Sequence, residues 1–307
     1  MSLRSIPASM DAGMVTRIDA AVDSIVREHG VAIGLAVESG SRAWGFPSPD
    51  SDYDCRFVYI RPLTHYLTPW PRRDVIELPL VDELDVNGWD LAKSLKLLMK
   101  GNAVIIEWLT SPLVYRGNEE FRSSFLALAN AVADRDLLIR HYLHLAEEFR
   151  RRHLSNPAAV PLKKLFYTLR PAAAIRWLAR HPEAAVAPMH FPTLMAESEL
   201  PPAVAAIVAD LLACKATTRE LGTGPLPQPL AAFIDKELQW ARAKTARRGP
   251  GQRREQHAMC EGFFAETVRR FDSYSKSGQV VPRPDLQTLP DTLNHPHDKL
   301  ETSGRDV

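Results

Sequence analysis

Apolar residues recur along the chain with two spacings, and the pattern becomes wholly helical after about residue 118. Met14, Ile18, Val22, Ile25 and Val26 fall on one helical face, and His29-Gly30 predicts the stop. "VAIGLAVE" (31–38) reads as a buried strand. "SGSRAWGF" (39–46) predicts a turn leading into a short helix. "PSPDS" (47–51) is a loop, because its prolines and Asp-Ser pair oppose regular structure. "DYDCRFVYI" (52–60) is strand-like, rich in aromatic and β-branched residues. "DVIELP" (74–79) and "DELDVNGWD" (82–90) predict two antiparallel neighbours. "LAKSLKLLMKG" (91–101) is a helix ended by Gly101, and "AVIIEWLTSPLVY" (103–115) a short helix with an extended exit.

Helices are then predicted over 119–132, 135–154, 161–181, 201–221, 228–247 and 253–275. Leu137, Leu138, Tyr142, Leu145, Ala146 and Phe149 make one apolar face; Leu162, Phe166, Leu169, Ala173 and Trp177 make another. From about 276 the chain is polar and proline-bearing, without a core pattern, and is expected to be disordered. The expected organisation is α+β: a mixed domain over 1–118, an all-helical domain over 119–275 and a tail over 276–307.

Composition narrows the class. The 307 residues are 45% hydrophobic and 24% charged, as in soluble globular proteins. Lys plus Arg (38) balances Asp plus Glu (37), so net charge names no partner. Cys55, Cys214 and Cys260 are far apart and form no CxxC pair, against a disulfide framework or a zinc site. No run reaches about 18 apolar residues, so no membrane span is expected. The N-terminal stretch has no long apolar core of the signal-peptide kind. A cytoplasmic enzyme or binding protein is the expected class.

The candidate chemistry lies in "ESGSRAWGFPSPDSDYDCRFVYI" (38–60). Side chains alternate along a strand, so Asp52 and Asp54 are expected to point the same way. Two carboxylates on one face repel, and a hard divalent cation such as Mg2+ offsets that repulsion. The Gly40-Ser41 turn follows a buried strand, where backbone N–H groups can cradle phosphate. An EF-hand reading of Asp50, Asp52 and Asp54 fails, because Cys55 stands where Gly is needed and Arg61 where Glu is needed. A P-loop reading of Gly40 and Gly45 fails too, because Phe46 stands in place of Lys. A solvated Asp-Ser-Asp turn is the remaining alternative.

"SGSRAWGFPSPDSDYDCRF" resembles the DNA polymerase β-type nucleotidyltransferases in its strand, Gly-Ser turn and Asp-x-Asp order. With "DVNGWDLAKSLKLLMKGNAVIIEWLTSPLVY" and "KKLFYTLRPAAAIRW", the stretch 31–180 is similar to predicted bacterial nucleotidyltransferases associated with RNA repair. One departure is "KGNAV" (100–104), where that group often has Asn followed by Pro.

The resemblance implies a polymerase β-like domain, a mixed sheet flanked by helices, and two-metal nucleotidyl transfer. Asp52 and Asp54 would bridge Mg2+ ions, with Mn2+ able to substitute. A third carboxylate would sit on a neighbouring strand. Glu83, Asp85 and Asn87 share a face there, opposite Leu84 and Val86. Asp85 is central and is chosen, with Glu83 the alternative; Asp90 is expected to cap the next helix. Gly40, Ser41 and Arg42 would hold the phosphates of an NTP. Lys163, Tyr167 and Arg170 are spaced to share a helix stripe that could meet triphosphate and stack a base. The acceptor implied by the association is RNA, possible alternatives being a protein or small-molecule hydroxyl, or a non-catalytic RNA-binding role. "RRRHL" (150–154) and "ARAKTARRGPGQRREQ" (241–256) are basic clusters that could track a phosphate backbone or stay solvated.

Overall fold

A computed structural model of the chain describes residues 2–219, 221–245 and 253–276. The expected tail, from 277 onward, lies outside the described residues. The elements run in the order β1 (Ser2–Ser5), α1 (Ala12–His29), β2 (Ala32–Glu38), β3 (Tyr53–Ile60), α2 (Leu63–Tyr66), β4 (Val75–Glu77), β5 (Leu84–Asp90), α3 (Leu91–Met99), α4 (Ala103–Thr110) and β6 (Val114–Asn118). Then follow α5 (Glu119–Val132), α6 (Arg135–His153), β7 (Val160–Pro161), α7 (Leu162–Arg180), α8 (Phe191–Glu197), α9 (Pro202–Thr217), β8 (Thr223–Gly224), α10 (Gln228–Thr245) and α11 (Arg253–Lys276). The architecture is mixed α/β followed by a helical region, as the resemblance implied.

Among the described residues, six strands form a mixed sheet in the order β1-β6-β2-β3-β5-β4. β3 is antiparallel to β2 and parallel to β5. Alternation sorts the side chains. Cys55, Phe57 and Tyr59 of β3 and Leu84 and Val86 of β5 pack with Ile18, Val22 and Ile25 of α1. Val58 and Ile60 face the opposite way, into a core that includes Leu91, Trp108 and Phe125. Asp54, Arg56 and Asp85 share that second direction by the same alternation, at the strand ends where the apolar layer gives way. Asp90 closes β5 and caps α3, accepting from the Ala92 N–H at 2.8 Å.

The second core does not stop at residue 118. Phe46, Phe125, Tyr142, Phe166, Trp177 and Leu238 belong to one continuous cluster. α7 lies deep in it, with Leu165, Phe166, Leu169, Ile175 and Leu178 at most 1% exposed. Its N-terminal half stands over the turn at 40–46. Phe166 stacks on Phe46 with centroids 5.0 Å apart, and Arg170 lies over the Trp44 ring at 4.2 Å.

Arg170 is held by Glu107 of α4, one bond measuring 2.8 Å, and both side chains are under a tenth exposed. Removing one partner leaves a buried charge uncompensated. Arg170→Met is expected to lose about 3–5 kcal/mol of stability in urea unfolding. Glu107→Leu with Arg170→Met should recover most of that loss. A single variant as stable as the parent would contradict this reading.

Candidate active site

The turn after β2 is wound as one helical turn. Trp44 N donates to Gly40 O at 3.0 Å and Phe46 N to Ser41 O at 3.1 Å, with Gly45 at φ +83°. The loop before β3 is laced onto it. Ser41 Oγ donates to Ser51 Oγ at 2.8 Å, and Ser51 Oγ accepts from Ser48 N at 2.9 Å. Arg42 Nη2 donates to the Ser51 carbonyl at 2.7 Å, and its guanidinium lies 3.8 Å over the Tyr53 ring. Arg42 therefore fastens turn to loop, and Ser41 is the hydroxyl end of a serine chain.

Parallel pairing of β3 with β5 places Asp54 opposite Asp85. Gly40 lies against Asp54 so closely that a Cβ there would come 1.9 Å from Asp54 Oδ2. Only glycine allows this approach of turn and carboxylate. Arg56, which the sequence reading passed over, bridges the two acids: Nη2 donates to Asp54 Oδ1 at 2.9 Å and to Asp85 Oδ2 at 2.7 Å. Burial pushes the Asp54 carboxyl up from its ordinary value; Arg56 opposes this, and the charges of Asp85 and Asp52 add to it.

Glu38 lies beneath, 0% exposed. Its Oε1 accepts from Gly40 N at 3.1 Å and from Asp54 N at 3.0 Å, and Tyr115 donates its hydroxyl to Oε2. Burial raises the Glu38 carboxyl, against the lowering effect of these bonds. Glu38 thus ties the glycine turn to the backbone of Asp54. In the sequence it is only the polar end of an apolar strand.

The other expected residues divide. Asp52 stands just before β3, exposed, and its carboxylate makes no hydrogen bond or ion pair among the described residues. Tyr167 meets Trp44 edge-on at 5.8 Å; burial raises its hydroxyl, and the charges of Asp54 and Asp52 add to that. Lys163 pairs with Asp50 at 3.1 Å, and Lys164 lies 5.1 Å from the Tyr167 ring centroid. Arg170 is a correction: it is not free to meet a nucleotide beside Lys163 and Tyr167, because it is 5% exposed and taken up by Glu107. Asp85, and not Glu83, is the acid opposite Asp54. In the basic clusters, Arg150 pairs with Asp235, Arg152 with Glu148 and Arg242 with Glu147. Arg247 and Arg248 lie outside the described residues. A cavity of about 480 Å³ between α3 and α11 shares no residue with the site.

The donor chemistry fits a hard divalent ion. Every candidate ligand is a carboxylate, and the Asp54–Asp85 pair already takes a cation, the Arg56 guanidinium. No group of three His, Cys, Asp or Glu side chains stands at ligand spacing among the described residues. Asp52 and the bridged pair would have to close together around an ion.

Two variants test this construction. Gly40→Ala forces Asp54 aside and should cost about 1–3 kcal/mol, read as a lower melting temperature; a variant that melts with the parent would contradict the close approach. Lys215 of α9 donates to the Phe46 carbonyl at 2.6 Å. Burial first, then Lys163, pulls its amine from 10.5 down to about 8. Between those values the unfolded chain binds more protons, so stability contributed at this position rises with pH. Lys215→Met should abolish that rise between about pH 8 and about pH 10 in urea unfolding; an unchanged rise would mean another group carries it.

The sequence model of RlaP, the RNA repair pathway DNA polymerase beta family, matches residues 14–265. The chain is also 37% identical over 226 residues to the Bacillus subtilis (strain 168) "Uncharacterized protein YcgL", covering 74% of this chain and 86% of that protein. The family match takes in the glycine turn, the strand acids and α7 together, and this chain belongs to the RNA repair pathway DNA polymerase beta family.

Proposed function

We propose that this chain transfers a nucleoside monophosphate from an NTP to an acceptor hydroxyl on RNA, with Mg2+ held by Asp52, Asp54 and Asp85. The observation that carries this reading is the meeting of Asp54 and Asp85 on parallel strands, with the Gly40 backbone against Asp54. Family membership supports the nucleotidyltransferase role and its setting in RNA repair. No helix among the described residues is long and apolar enough to cross a membrane.

In the reaction, the acceptor oxygen attacks the α-phosphorus, the bond from that phosphorus to the bridging oxygen breaks, and pyrophosphate leaves. Mg2+, when bound, neutralises phosphate charge and lowers the pKa of the attacking hydroxyl. The chain supplies position and charge. The Gly40–Ser41 turn, fixed from below by Glu38 and from the side by Ser51, takes the β and γ phosphates. Asp85, the more exposed acid at 41% against 28% for Asp54, faces the acceptor. Tyr167 and Trp44 offer a ring wall beside the carboxylates for the base. Lys163 reaches the triphosphate by exchanging Asp50 for it. Arg42 and Arg170 act through the turn: Arg42 holds its loop, and Arg170 supports Trp44.

The test is transfer of α-labelled NTPs, with Mg2+ or Mn2+, to separate pools of RNA, protein and metabolites. Label is expected in RNA, and Asp52→Asn with Asp54→Asn should reduce it at least about a hundredfold while the fold persists. Label in protein or metabolite would move the acceptor to another class. No label in any pool, or a double variant as active as the parent, would overturn the assignment.

A further inference from the structure

Arg56 lies two residues beyond Asp54 on β3, so both side chains leave the same face of the strand. Its guanidinium is held by both strands. Nη2 serves Asp54 Oδ1 and Asp85 Oδ2; Nη1 donates to the carbonyls of Asp85 at 3.0 Å and Cys55 at 3.2 Å. The Arg56 side chain is 18% exposed, so solvent ions screen it less than a surface arginine. A guanidinium does not lose its proton in the working range of a protein. A permanent positive charge is therefore built between the two acids.

A divalent ion that joined Asp54 to Asp85 would compete with Arg56 for the same two carboxylates. Mg2+ draws carboxylate oxygens to roughly 2.0–2.1 Å. The guanidinium holds them at 2.9 and 2.7 Å from one nitrogen. Ion and guanidinium carry like charge, and both cannot occupy the space between one oxygen pair. Asp54 Oδ2 lies against the Gly40 backbone. Asp52 is different: its exposed carboxylate is open to an ion without any exchange.

We propose that Arg56 is the built-in counter-ion of the Asp54–Asp85 pair and that divalent metal binds there by exchange with it. This inference rests on the metal-dependent reading above. Arg56 keeps the metal-free acids from repelling each other apart, and it lowers the affinity of the site for a bare ion. Metal entry is tied to the movement of one side chain.

The test is Mn2+ binding to the full chain without nucleotide, followed by the electron paramagnetic resonance of free Mn2+. Removing the competing cation should tighten binding, so Arg56→Gln is expected to bind Mn2+ about tenfold more tightly than the parent. Arg56→Lys keeps one charge but loses the fork that reaches both acids and the carbonyls. It should fall between parent and Arg56→Gln, and it serves alone if Arg56→Gln does not fold. Equal or weaker binding by the folded variants, with the parent binding Mn2+, overturns the exchange and leaves the metal site standing. Failure of all three proteins to bind Mn2+ overturns the metal-dependent reading and the exchange with it.

Discussion

Two carboxylates in register on neighbouring strands repel each other, and a cation between them removes that repulsion. Asp54 and Asp85 are in register on parallel strands, and Arg56 supplies the charge that lets them stay there. Coulomb repulsion between such acids is strong wherever water is partly excluded. The rest of the site is arranged around that constraint. Gly40 lets the turn after β2 touch Asp54, and Glu38 ties the two backbones together from below.

The helical region fixes the wall of the site as well as filling a core. α7 crosses the glycine turn, with Phe166 on Phe46 and Tyr167 against Trp44. Beneath Trp44, Arg170 and Glu107 form a buried pair, and Tyr142 donates to Glu107 at 3.4 Å. Such pairs contribute little net stability against an apolar alternative, yet they fix geometry once formed. Lys215 fastens the far end of the same turn through the Phe46 carbonyl. A shift of α7 therefore moves the ring wall and the turn together.

Much of this was legible in the sequence, and what was missed has physical reasons. A continuous apolar run located β2, aromatic and β-branched content located β3, and alternation put Asp85 on a polar face of β5. Helical spacing and caps located α1, α3 and the helices from α5 onward, apart from α8. β1, α2, α8 and the β7–β8 pair are too short for a period to show. Arg56 was within reach, since the alternation that aligned Asp52 with Asp54 also points Arg56 to that face. It is missed because on β3 and β5 only the acids are read as facing a metal, while basic residues are sought only as phosphate contacts. Arg170 shows the limit of spacing. Seven residues return a helix nearly to the same face, but α7 runs from a half-open end into the core, so the same face changes from solvent to interior along its length. Glu38 and the Ser41–Ser51–Ser48 chain depend on contacts between distant turns, which no local pattern encodes.

The most direct measurement is anomalous diffraction from crystals of the protein soaked in Mn2+ with a non-hydrolysable NTP. The account predicts Mn2+ peaks in direct contact with the carboxylates of Asp54 and Asp85, beside the Gly40–Ser41 turn, with the Arg56 guanidinium withdrawn from both. Ordered nucleotide and Mn2+ bound elsewhere, with Arg56 still spanning the two acids, would contradict it.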